Sequence, residues 1–126
     1  MAGRSIENLY IWNESRLFVN KIYSLFASNK DWGFRDQIQR AAVSVMNNIA
    51  EGAESGSDAT FARYLSIARG SCSEVKSMLY LGEDLGYVSS DKRIELHNQL
   101  YKISTGIINL KGSLDNKANE TDKQKS

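Results

Sequence analysis

The sequence predicts an all-α protein folded as an antiparallel up-down-up-down four-helix bundle, and three observations carry that expectation. The 126 residues contain no proline, the residue that most reliably breaks a helix by removing a backbone donor and crowding the preceding turn. Long stretches repeat apolar residues at steps of three and four, which gathers them on one helical face. Clusters of glycine and serine separate these stretches, and connectors so short set successive helices antiparallel.

The first helix is expected from about Trp12 to Ser28, with Trp12, Val19, Ile22, Tyr23 and Phe26 turned inward and Ser5–Ile11 open as an extension. "SNKDWG", Ser28–Gly33, is a connector. The second helix follows over Phe34–Glu51, with Ile38, Ala41, Ala42, Val45 and Ile49 forming its apolar face and Gly52 expected as its C-terminal cap. "GAESGS" turns the chain into a third helix, for which Ser57 is the expected N-cap and Asp58 faces the positive end of the dipole. Phe61, Leu65, Ala68, Cys72, Val75 and Leu79 make the seam of that helix. "GYVSSD" leads to the fourth, with a seam of Leu96, Leu100, Ile103, Ile107, Leu110 and Leu114. Residues 1–114 therefore read as one domain, and Asp115–Ser126, whose only apolar residue is an alanine, as a disordered polar tail.

Composition narrows the function classes. Sixteen basic and fifteen acidic residues leave a net charge of +1, so nucleic-acid binding has to rest on a local patch rather than on bulk charge. The single cysteine, Cys72, forbids an internal disulfide, and one cysteine with one histidine cannot complete a structural zinc site. No apolar run approaches a membrane span or a secretory leader, which gives a cytoplasmic protein with no membrane partner as the expectation. His97 lacks a nucleophile motif, no Glu-x-x-His pair exists for a di-metal site, and "GAESG" lacks the lysine and hydroxyl of a phosphate loop. We expect no enzyme, no cofactor, no metal and no small-molecule substrate.

Two groups of residues stand out instead. On the second helix the face opposite the core is mostly amide and hydroxyl, and Asn47, Asn48 and Glu51 are expected to bond the start of the third helix or another subunit. On the third helix Ser66, Gly70, Ser73 and Ser77 form a second, small-residue seam that admits a partner backbone closely. Arg35, Arg40, Arg63, Arg69 and Lys76 are the candidate patch for RNA phosphates, interspersed with acids able to pair with them.

"FRDQIQRAAVSVMNNIAEG" followed by "FARYLSIARGSCSEVKSMLYLGEDLGY" closely resembles the bacterial four-helix-bundle family encoded in 23S rRNA intervening sequences, sometimes labelled a ribosomal protein. The likeness runs from about Trp12 to Leu114. The resemblance implies an antiparallel bundle that assembles as a homopentamer. The chain is also similar in architecture to the accessory protein of diversity-generating retroelements, a basic pentamer that works with a reverse transcriptase and nucleic acid. Many relatives carry an arginine in the loop after Asn-Ile-Ala-Glu-Gly; here that loop is Ala53, Glu54, Ser55, Gly56, which is acidic. The expectation is a non-enzymatic oligomeric scaffold that contacts rRNA or a ribonucleoprotein. The alternative is a nucleic-acid-binding accessory factor of a reverse transcriptase.

Overall fold

The computed structural model describes residues 3–125, and side chains through residue 117. A 3₁₀ turn at Ile6–Asn8 precedes four helices: α1 (Tyr10–Leu25), α2 (Trp32–Glu54), α3 (Asp58–Asp84) and α4 (Ser90–Lys125). Each packs against its neighbour in sequence, and α4 closes the bundle against α1. The chain is all-α and forms the four-helix bundle that its periodicity predicts.

The ends of the helices are set by short-range chemistry. Asp31 caps α2 by accepting the Phe34 N–H at 3.2 Å, and its second carboxylate oxygen accepts the Tyr87 hydroxyl at 2.7 Å. That carboxylate thus ties together the α1–α2 and α3–α4 connectors, which lie at the same end of the bundle. Phe26, Phe34 and Tyr87 stack edge-to-face beneath it, with ring centroids 5.3 and 5.1 Å apart. Ser57 caps α3 through the Thr60 N–H at 3.2 Å, as the sequence predicts. Gly86, with φ of 77°, ends α3, because the left-handed turn lets Tyr87 N–H reach the Gly82 carbonyl at 2.8 Å.

Two boundaries and one face differ from the sequence-based expectation. Gly52 is not a cap: α2 continues to Glu54, and the turn is made by Gly56, with φ of 78°. Gly52 is buried where α2 crosses α3, and a Cβ there would lie 2.8 Å from Tyr64 Cβ and 3.2 Å from Phe61 Cα. It is glycine because two backbones approach. The inward face of α1 is Ile11, Ser15, Phe18 and Ile22, continued by Phe26, whereas Trp12 and Val19 sit at the boundary and Tyr23 is exposed. The last helix runs through the stretch expected as a tail, to Lys125. Nothing between Asp115 and Lys125 is glycine or proline, and Lys111 and Asp115 pair across one turn at 3.0 Å.

The cores of α3 and α4 match their seams. Phe61, Leu65, Ala68, Cys72, Val75 and Leu79 are buried, as are Leu96, Leu100, Ile103, Ile107 and Leu114, with Leu110 packed at the margin.

Candidate functional site

The amide-rich face of α2 finds its partner in the middle of α3 rather than at its start. Asn48 Nδ2 donates to the Ser44 carbonyl at 2.8 Å and to Ser44 Oγ at 3.0 Å. Ser44 Oγ in turn shares a hydrogen bond of 2.8 Å with Ser71 Oγ across the α2–α3 interface. The start of α3 has no need of the amides, because Ser57 already caps it. Asn47 and Glu51 face solvent. One of the three predicted network residues therefore bonds in a network, and its partners are two serines that sequence reasoning did not assign to it.

The small-residue seam of α3 is open. Ser66, Gly70, Ser73 and Ser77 are all exposed, and a Cβ at Gly70 would meet nothing within 4 Å. The Ser66 and Ser73 hydroxyls turn back onto the carbonyls of Ala62 and Arg69, each at 3.4 Å, and so leave the surface shallow. Ile67 at 45% and Leu81 at 47% exposure border the seam on its far side. On its near side it falls into a groove against α4 of about 600 Å³, where Gly112 faces it and a Cβ would likewise find open space.

The groove continues along α3 and α4 into a second stretch of about 380 Å³ that holds Arg69 and Lys76. The other three predicted cations lie elsewhere. Arg35 stacks on Trp32 at 4.4 Å and donates to the Ala27 carbonyl at 3.4 Å, beside Asp36 at 3.9 Å. Arg40 is exposed on α2, and Arg63 lies over Tyr64 at 5.1 Å. Of the five predicted cations, only Arg69 and Lys76 line this stretch of the groove.

Tyr80 and His97 line this stretch, and behind them stand Arg93 and Glu83, which the sequence did not single out. Arg93 Nε donates to Glu83 Oε1 at 2.7 Å, and Arg93 Nη1 lies 3.1 Å from His97 Nδ1. Arginine has no acceptor, so Nδ1 carries the lone pair and Nε2–H donates to the Lys76 carbonyl at 3.1 Å. Tyr80 is held between them, its ring 4.7 Å from the Arg93 guanidinium and 4.6 Å from the His97 ring. Burial, aided by the neighbouring cations, holds His97 below the ordinary imidazole range, and the Arg93 bond keeps Glu83 below the usual carboxylate range. The signal was present in part: Arg93 and His97 stand one helical turn apart, and Ile94, Tyr101 and Ile108 repeat at seven residues outside the core seam. Cys72 is buried, and its thiol is pushed up to about 12, which removes it as a nucleophile. Among the described residues no three His, Cys, Asp or Glu side chains gather as a metal site, and no helix is long and apolar enough to cross a membrane.

A family model described as 23S rRNA-intervening sequence protein matches residues 7–109. The chain belongs to this family. The match takes in the first three helices and α4 past Ile108, so the intervening-sequence stretch includes both walls of the second groove. A protein of unknown function from the S23 ribosomal protein family of Bacteroides thetaiotaomicron has a similar solved structure. The TM-score is 0.77 and the identity 25%, covering 81% of this chain and 95% of that one. No curated protein matches the chain.

Proposed function

We propose that this intervening-sequence family protein is a non-enzymatic scaffold that self-associates in the cytoplasm through the outer face of α3 and presents the α3–α4 groove to RNA or a ribonucleoprotein. The observation that carries the reading is the open seam: Ser66, Gly70, Ser73 and Ser77 leave a shallow channel, and exposed Ile67 and Leu81 stand beside it. Small residues in register with bordering aliphatics accept a second helix with little steric cost, and the apolar rim gains by being covered. The resemblance to pentameric relatives supports five copies. The descriptions of the family and of its solved neighbour support a ribosomal or rRNA setting.

Gly70→Leu separates assembly from folding. The added side chain projects into open space on one subunit, and replacing a mid-helix glycine improves helix propensity by up to about 1 kcal/mol. Light scattering is expected to give a parent mass several times 14.1 kDa, with Gly70→Leu monomeric and melting no lower than the isolated parent subunit. A parent that stays monomeric at micromolar concentration, or a variant of unchanged mass, removes this reading.

A further inference from the structure

We propose that the stretch of groove between Lys76 and Ser104 binds single-stranded RNA, with phosphates on Arg69 and Lys76 and a base stacked on Tyr101. This deepens the RNA part of the reading above, on which it rests, by naming a surface and a strand form.

Charge complementarity is the first support. No aspartate or glutamate lines this stretch, although the chain as a whole is almost neutral. Lys21, Lys92, Arg93 and Lys111 all pair with carboxylates, whereas the Arg69 and Lys76 side chains have no ion-pair partner among the described residues. Seven residues apart on one helix, they stand about 10 Å apart along its axis, so they meet different phosphates of one strand.

The aromatic ring is the second. Tyr101 is 72% exposed, the most of any large apolar side chain described, and it lines the same stretch. Tyr80 is already covered by the Arg93 guanidinium on its face and met edge-to-face by His97, which leaves Tyr101 as the more open ring of this stretch. A cationic track beside an exposed aromatic is the combination that holds single strands, whose bases are free to stack, while a duplex hides its base faces. Ser104 and Asn98 line the same wall and offer donors and acceptors within reach of a ribose hydroxyl.

The test is anisotropy of a labelled oligouridylate with the full chain, read at several salt concentrations. The Arg69→Ala/Lys76→Ala variant is expected to lower the slope of log affinity against log salt by about 1.4, from two lost phosphate contacts. Tyr101→Ala weakens binding about tenfold, since one stacking contact is lost, and Tyr101→Phe restores it. Arg40→Ala, which alters an exposed cation on another helix, matches the parent. Binding that is equal for Tyr101→Ala and parent, a parental salt slope in the double variant, or equal affinity for duplex RNA overturns the proposal. Light scattering on the same samples separates the two readings: an assembly that ignores the strand overturns this site alone, and a monomer that binds it overturns the assembly alone.

Discussion

Gly52 and Gly112 are both helical glycines, yet replacing them should have opposite effects. A methyl at Gly52 meets Tyr64 Cβ at 2.8 Å and the Phe61 backbone at 3.2 Å, atoms that cannot move without shifting α3 itself. Gly52→Ala is expected to cost about 1–3 kcal/mol by overpacking. At Gly112 a methyl meets nothing within 4 Å, so Gly112→Ala gains about 0.5–1 kcal/mol from helix propensity alone. Urea melts of the two variants check the signs, and equal shifts in one direction would refute the contact at Gly52. At this scale the sequence was only partly legible. "EGAESG" marks a chain reversal, but which of its two glycines turns and which admits a neighbour depends on where α3 crosses, a distance that no local pattern contains. Asn48 was legible only as an amide in need of a partner: it is half-buried and bonded, while Asn47 and Glu51 on the same stripe are exposed. The identity of that partner, Ser44 with Ser71, again depends on the crossing.

Among the elements, α1 shows how periodicity can fix a helix without fixing its rotation. Ile11, Phe18 and Ile22 have the same spacing as Trp12, Val19 and Tyr23, one residue and about 100° away. The first set is buried because it has no polar atom to satisfy, while tryptophan and tyrosine keep a polar tip in water at the boundary. The α3 and α4 seams were legible because each is an unbroken run of six apolar residues at alternating steps of four and three, and the rival sets on those helices are small and polar or have fewer members. The α3–α4 pair also carries a proton-sensitive tie. His97 accepts from Arg93 and donates to the Lys76 carbonyl, with Glu83 and Tyr80 the other titratable groups at the cluster. Protonating Nδ1 removes the acceptor and puts two cations together. Since burial lowers the His97 value in the folded chain, the unfolded chain takes the proton first. The stabilisation is complete above the ordinary imidazole range near 6.5 and is lost as pH falls through the folded value. Melting temperature should therefore begin to fall as pH drops below about 6.5, and His97→Gln should flatten that part of the profile. Asp31, Glu83 and Glu95 are held low, so their losses begin only near the carboxylate range at about pH 4. A parent profile that stays flat from about pH 6.5 down to the carboxylate range would show that the tie carries no proton linkage.

For the whole molecule, the bundle was the most legible feature, since four apolar seams with three short connectors leave few other ways to bury them. The surface proposed for RNA was the least. Arg35, Arg40, Arg63, Arg69 and Lys76 look alike in sequence, and only the packing of α3 on α4 brings Arg69 and Lys76 to Tyr101 and leaves the others apart. The connectivity has a further consequence, in time rather than in space. Because each helix packs on its neighbour in sequence, most contacts close short loops, and helical topologies of this kind fold in microseconds to milliseconds. With no proline in the chain, the unfolded ensemble contains no slowly exchanging prolyl isomers, the usual source of refolding phases lasting tens of seconds. Stopped-flow dilution from urea should give one fast phase that is independent of protein concentration. If the chain self-associates as proposed, anything slower should quicken as protein is added, because the remaining step would join separate chains; a slow phase insensitive to concentration would contradict this. Subunit formation and assembly would then be separate events, and the open seam of α3 would be complete before it met another copy.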